Sequence, residues 1–111
     1  MMSKSPATTR KKEASLPLVT PGEILAEEFM EPLALSANAL ALALRVPATR
    51  IQAIVKGTRA ITADTALRLA RYFGNSAEFW LNLQQHYDLD LARRERLAEI
   101  QAHVEQRSPA A

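Results

Sequence analysis

Two short helix-forming segments separated by three residues constrain this chain more than any other feature of its sequence. Ser36 can cap a segment over 37–44, in which Ala and Leu recur at helical spacing. Residues 45–47 (Arg-Val-Pro) lead into a second segment over 48–56, which ends at Gly57, a residue suited to the left-handed conformation. Two helices joined by so short a turn are typical of a helix-turn-helix, although any antiparallel helix pair shares this outline.

Similar start and stop signals lie on both sides of this pair. Residues 20–23 (Thr-Pro-Gly-Glu) form a capping box that predicts helix 1, and Pro32 predicts that this helix ends near Met30. Three more helices are predicted: one from the cap Thr62 to Gly74, one after the cap Ser76, and a separate amphipathic helix over residues 90–106. The predicted fold is therefore all-α, with a five-helix domain and an additional C-terminal helix.

The 111 residues are enough for one domain with tails. Composition predicts a disordered basic arm over 1–18, a helical domain over 19–88, and a C-terminal helix with a frayed tail over 89–111. The absence of cysteine excludes disulfides, thiolate metal sites and cysteine nucleophiles. No apolar run is long enough to span a bilayer and no signal-peptide pattern is present, so we expect a cytoplasmic protein without membrane contact.

The net charge of +2 is too small to indicate a partner, but the charges are unevenly distributed. No Asp or Glu occurs between Pro32 and Ala63, whereas this stretch contains four cations, Arg45, Arg50, Lys56 and Arg59. A local field of one sign is what a phosphate-facing surface requires, although an apolar stretch with chance charges would give the same pattern.

The second helix of the pair has an outward face suited to reading DNA bases. If Ile51, Ile54 and Val55 point into the core, the remaining residues face outward: Ala48, Thr49, Arg50, Gln52, Ala53 and Lys56. Arg can pair with guanine and Gln with adenine, and small Ala residues let the backbone approach the groove. We therefore predict base readout by the first five of these residues, with no carboxylate beside them to repel phosphate.

Contacts to the phosphate backbone are predicted around this face. The side chains assigned to them are Ser36, Asn38, Lys56, Thr58 and Arg59. Ser36 opens a helix N-terminus, which favours anions, and the loop with Thr58 and Arg59 would follow the same strand. Plain helix capping also accounts for Ser36, and a solvated loop charge also accounts for Arg59.

Four motifs follow one another along the chain: Pro-Gly-Glu-Ile-Leu with Glu-Phe over 21–29, Val-Pro-Ala-Thr-Arg-Ile over 46–51, Gly-Thr-Arg-Ala-Ile-Thr-Ala-Asp-Thr-Ala over 57–66, and Asn-Ser-Ala-Glu-Phe-Trp-Leu-Asn-Leu-Gln over 75–84. Together they resemble the HigA antitoxin family, within the lambda-repressor-like, XRE-type helix-turn-helix class, over about residues 21–91. The resemblance implies a homodimer that binds palindromic operator DNA and represses its own operon. It also implies a partner, a HigB or RelE-like toxin that cleaves mRNA.

The resemblance further implies that the C-terminal helices form most of the dimer interface. We expect this interface to include Trp80, Tyr87, Leu97 and Ile100. Phe79 and Leu83 are expected in the core, and core packing is also the alternative for Trp80.

Other classes of function leave fewer signals in the sequence. An enzyme is not expected, because His86 and His103 lack metal-ligand spacing and no glycine-rich phosphate loop is present; neither a metal nor a cofactor is predicted. A protein-interaction module without DNA binding and an XRE-type regulator without a toxin stay open as alternatives. Gln52-Ala53 departs from the Asn-Glu pair expected in many relatives, so the operator sequence cannot be borrowed from them.

Overall fold

The computed structural model describes residues 17–108 of the chain. Within this range the secondary structure is entirely helical: α1 (Pro21–Ile24, continued as a π-helix over Leu25–Met30 and a 3-10 turn over Glu31–Leu33), α2 (Ala37–Leu44), α3 (Ala48–Lys56), α4 (Ala63–Phe73) and α5 (Ala77–His103). The predicted all-α fold with a five-helix domain is confirmed. The predicted basic arm, apart from Pro17 and Leu18, and the tail residues 109–111 lie outside the described residues.

Helix α1 starts where the sequence predicts but ends later. The Thr20 hydroxyl accepts a hydrogen bond from the Glu23 amide at 3.1 Å, and the Thr20 amide donates to the Glu23 carboxylate at 2.9 Å, which confirms the capping box. The π-helical part ends at Met30, as expected, whereas a 3-10 turn over Glu31–Leu33, with Pro32 in its first turn, carries the helical path on to Leu33.

Helices α2 and α3 have the predicted bounds. The Ser36 hydroxyl caps α2 by accepting a hydrogen bond from the Ala39 amide at 3.0 Å. Arg45 ends α2 and Gly57 ends α3, both in the left-handed conformation, with φ of 61° and 84°. The connection between the two helices is therefore as short as the sequence indicates, and it fixes them as one compact pair.

The last two helices depart from prediction in two respects. Thr62 occupies the N-cap position of α4, but its side chain makes no capping hydrogen bond. Its backbone carbonyl accepts a hydrogen bond from the Ala66 amide at 2.8 Å. The two helices expected after Ser76 are one, since α5 runs through Asp90 to His103 without interruption. Residues 88–92 contain neither Gly nor Pro, so nothing in the backbone requires a break there.

The core of the described residues draws on every helix. Its buried apolar side chains are Leu25, Met30, Leu40, Ala41, Leu44, Ile51, Ile54, Ile61, Ala66, Leu69 and Trp80. Ile51 and Ile54 come from the inner side of α3 as predicted, and Leu40, Ala41 and Leu44 from the inner side of α2. The helix-turn-helix pair is thus seated on α1 and α4 through its apolar faces.

Trp80 corrects an expectation about α5. It is 0% exposed, its ring lies 4.7 Å from that of Phe29 and 6.0 Å from that of Phe73, and its Nε1 donates to Asn75 at 2.9 Å. It fills the space between α1, α4 and α5, so it presents no surface to a second protomer. Phe79, expected in the core, is 37% exposed and packs edge-on against Trp80.

Gly22 allows α1 and α3 to approach at backbone distance. A Cβ atom at this buried position would overlap the carbonyl group of Ile54 and lie 2.9 Å from the Cα of Val55. Since glycine alone leaves this space empty, the seating of α3 on α1 depends on it.

Replacing Gly22 with Ala is expected to lower the free energy of unfolding by about 3 kcal/mol, because backbone rather than a flexible side chain must move. Urea unfolding followed by circular dichroism measures the loss. Gly74→Ala is the matched control: a Cβ there meets nothing within 4 Å, so only the left-handed backbone opposes it, at about 1 kcal/mol. Equal losses in the two variants would contradict the close approach of α1 and α3.

Candidate nucleic-acid interface

The outward side of α3 carries a stripe of polar and small residues. Thr49, Gln52 and Lys56 are exposed, and Ala53 is half-buried between them. Their spacing places these four residues on one side of the helix, opposite the buried isoleucines. Ala48, also half-buried, opens the helix beside them. A helix presenting such a stripe can enter a major groove and offer donors and acceptors to base edges.

Arg50 lies at the edge of this stripe rather than on it. Its side chain is 23% exposed, and its Nη1 donates to Oδ2 of Asp64 at 3.0 Å. The expectation of no carboxylate beside the outward face of α3 is therefore wrong. Asp64 belongs to the first turn of α4, and only folding brings it next to α3.

Arg68, one turn further along α4, completes this contact. Its Nε donates to the same Asp64 oxygen at 2.9 Å, and its Nη1 donates at 2.8 Å to the carbonyl of Leu44, the last residue of α2. The hydrogen bond from Arg68, and then that from Arg50, lowers the pKa of Asp64 below its ordinary value of 3.8. Arg50, Asp64 and Arg68, here called the Asp64 cluster, join α2, α3 and α4 through charged hydrogen bonds.

The loop after α3 is tied to the helices on both of its sides. The Thr58 hydroxyl donates to the carbonyl of Ala53 at 3.2 Å, and the Ile61 amide donates to the Gln84 side chain on α5 at 2.8 Å. Arg59, between them, is exposed. The loop therefore holds Arg59 outward from an anchored backbone, as a phosphate contact requires.

The N-terminus of α2 also faces outward. Ser36 and Asn38 are both exposed, and the Ser36 hydroxyl is engaged in capping. The capping interpretation of Ser36 is confirmed, and its contact with phosphate stays a prediction. Free amides at such a helix end favour an anion.

The charge around the helix pair is positive. Arg45 in the turn, Lys56 at the end of α3 and Arg59 in the loop are exposed, and residues 32–63 contribute no carboxylate. Asp64, the carboxylate that approaches α3, is shared by two guanidinium groups. Cationic groups thus predominate over this surface, which suits a polyanion.

Residues 17–108 offer no group of three or more His, Asp or Glu side chains placed to hold a metal ion. In the same part of the chain, no helix has the length and apolar character needed to cross a membrane.

Several known proteins are similar to this chain in sequence and in fold. A helix-turn-helix family model matches residues 27–80. Virulence-associated protein I of Dichelobacter nodosus is 56% identical over 81 residues, which are 73% of this chain and 75% of that protein. Antitoxin HigA-1 of Vibrio cholerae is 41% identical over 71 residues, 64% of this chain and 67% of that protein. The structure of Pseudomonas aeruginosa antitoxin HigA with the higBA promoter has a TM-score of 0.78 and 44% identity, covering 80% of this chain and 97% of that one. The chain belongs to the HigA-type helix-turn-helix family.

The helix-turn-helix match in this HigA-type chain ends at Trp80, near the start of α5. Three of the residues predicted for the dimer interface lie beyond it. Tyr87 is half-buried, whereas Leu97 and Ile100 are exposed on the C-terminal half of α5. Their exposure leaves them available to a second protomer.

Three residues that organise the HigA-type surface were not predicted from the sequence, namely Asp64, Arg68 and Gln84. The spacing of Asp64 and Arg68 on one helix is a sequence signal for an ion pair. The contacts of Arg50 with Asp64 and of Ile61 with Gln84 join residues 14 and 23 positions apart, and no local pattern indicates them.

Proposed function

We propose that the chain is a HigA-type antitoxin, a dimeric repressor that binds palindromic operator DNA of its own operon and neutralises a RelE-like, mRNA-cleaving toxin of the HigB type. The observation that carries the DNA-binding part is the exposed stripe of α3 beside cationic side chains. The Pseudomonas aeruginosa HigA structure supports it, because that protein has the same fold and was solved with promoter DNA.

In this proposal α3 enters the major groove. Thr49 and Gln52 contact base edges, while Ala48 and Ala53 keep the helix surface low enough for close approach. Arg50 supports this readout from the edge of the stripe, with its guanidinium on Asp64. The phosphate contacts belong to Ser36, Asn38, Lys56, Thr58 and Arg59, which lie at the ends of the helix pair and in the loop.

Gln52→Ala and Lys56→Ala are expected to weaken operator binding in different ways. Loss of the Gln52 base contact should cost about 1–3 kcal/mol on the operator and little on unrelated DNA. Loss of the Lys56 phosphate contact should weaken binding to both and reduce the slope of log K against log salt by about 1. Fluorescence anisotropy over a salt series measures both quantities.

Two variants at exposed residues beyond the end of α5 are the controls. Gln106→Ala is matched to Gln52→Ala, and Arg107→Ala is matched to Lys56→Ala. Both should bind the operator like the unchanged protein. Operator discrimination retained in Gln52→Ala would mean that α3 is not the reading helix.

A homodimer is proposed from exposed apolar side chains on one side of α5, where Arg93 lies among them. Leu89, Leu97 and Ile100 are exposed and fall within an arc of about 80° on the helix. The 27 residues of α5 extend about 40 Å. Trp80 attaches the start of the helix to the core, so these side chains lie on the part of α5 that extends beyond the core. Two protomers joined there would present two α3 helices to half-sites roughly 34–36 Å apart, and one recognition helix alone reads too few base pairs.

The double variant Leu97→Glu/Ile100→Glu is expected to raise the dimer dissociation constant by about 100-fold or more, because carboxylates would be buried in the apolar interface. Sedimentation velocity over a concentration series measures the constant. Leu42→Glu, at a leucine that is 77% exposed on α2, is the control and should leave it unchanged. A monomer for the unchanged protein, or an unaltered dimer for the double variant, would contradict this interface.

The toxin partner is tested by co-expression. A small basic protein encoded beside this gene is expected to co-purify with the tagged chain and to lose its mRNA-cleaving activity in the complex. An operator shift assay on the purified pair then shows whether both partners bind together. If no neighbouring product co-elutes, the chain is a HigA-type regulator without a toxin, and the DNA-binding part of the proposal is unaffected.

A further inference from the structure

We infer that Asp64 is a positioning residue for operator recognition: through Arg50 and Arg68 it fixes the first turn of α3 relative to the end of α2. The inference rests on the proposed operator binding. It assigns a role in readout to α4, a helix that lies outside the helix-turn-helix pair.

The geometry of the Asp64 cluster spans the turn of the helix pair. A single oxygen of Asp64 accepts from Arg50 at 3.0 Å and from Arg68 at 2.9 Å. Arg68 also donates to the carbonyl of Leu44 at 2.8 Å. Residues 45–47 lie between the two attachment points, Leu44 and Arg50. The cluster thus connects both sides of the turn that sets the orientation of α3 relative to α2.

The first turn of α3 has no side-chain cap to hold it. Its N-cap residue is Pro47, whose side chain makes no capping hydrogen bond, whereas α2 and α5 are capped by Ser36 and Ser76. Arg50 is the third residue of α3 and lies between Thr49 and Gln52, the proposed base readers. Holding the Arg50 guanidinium therefore holds the part of α3 that carries these two side chains.

The solvent exposure of the Asp64 cluster indicates that its main effect is on the orientation of α3 and not on the stability of the fold. The side chains of Asp64 and Arg68 are 57% and 39% exposed, and an ion pair this open to solvent contributes little to the free energy of unfolding, whereas Arg50 is 23% exposed. The burial of Ile51 and Ile54 already attaches α3 to the core. What the cluster adds is a fixed direction for the first turn, which matters for base contacts more than for folding.

Whether removal of Asp64 weakens or strengthens operator binding distinguishes a positioning role from a purely electrostatic one. A carboxylate beside a DNA-facing helix repels phosphate, so a residue that acted by charge alone would weaken binding, and its removal would strengthen it. Positioning predicts the opposite, a loss of operator affinity when the carboxylate is removed.

The test measures operator affinity of Asp64→Ala in the full-length dimer at fixed salt. We expect a loss of about tenfold on the operator, no loss of affinity for unrelated DNA, and a melting temperature within about 5 °C of the unchanged protein. Asp64→Glu should recover part of the loss because it keeps an ionised acceptor. Glu105→Ala, at an exposed carboxylate beyond the end of α5, is the control and should bind normally.

A double-mutant cycle tests the route through Arg50. Arg50→Ala should reduce operator affinity in the unchanged protein and add little in Asp64→Ala, because the two residues act as one unit. The inference is overturned if Asp64→Ala binds the operator as well as or better than the unchanged protein, or if its loss merely follows a loss of folded protein. Should Gln52→Ala also bind normally, the proposed readout fails; should it bind weakly while Asp64→Ala binds normally, the positioning role alone fails.

Discussion

The burial of one side of α3 is the constraint on which the rest of this surface depends. Ile51 and Ile54 are enclosed by the core, each stabilising the fold by about 1.5–3 kcal/mol, and Gly22 lets the backbone of α1 lie directly against α3. Because the isoleucine side of α3 is buried, Thr49 and Gln52 on the opposite side face outward. The exposure of the proposed readout face is thus a consequence of packing on the opposite side of the same helix.

Helix α5 is buried near its start and exposed near its end, although it is one uninterrupted helix. Near its start Trp80 is enclosed between Phe29 and Phe73, which ties α5 to α1 and α4. Near its end Leu97 and Ile100 are 40% and 44% exposed within residues 17–108. The rigid connection between these regions means that a dimer formed at the far end would set the distance between two recognition helices.

Charge on this surface is arranged by contacts between helices as well as by composition. The stretch 32–63 contains no acidic residue, yet Asp64 folds back beside Arg50 and is shared with Arg68. Paired in this way, the carboxylate organises cationic side chains and adds little repulsion of its own. The Arg50 guanidinium is thus paired within the protein, and the direct contact with guanine that its residue type suggests stays a prediction.

The sequence by itself determined the helices α2 and α3, the short turn between them and the inner face of each, because caps, glycine and apolar spacing are local signals. Such signals could not show that α5 is one helix, that Trp80 is enclosed, or that Gly22 is a contact point. Tertiary structure decided these features, and the pairing of Arg50 with Asp64, because they depend on which distant residues meet once the helices pack. Local backbone preferences act over a few residues, whereas burial and charge pairing act across the folded chain.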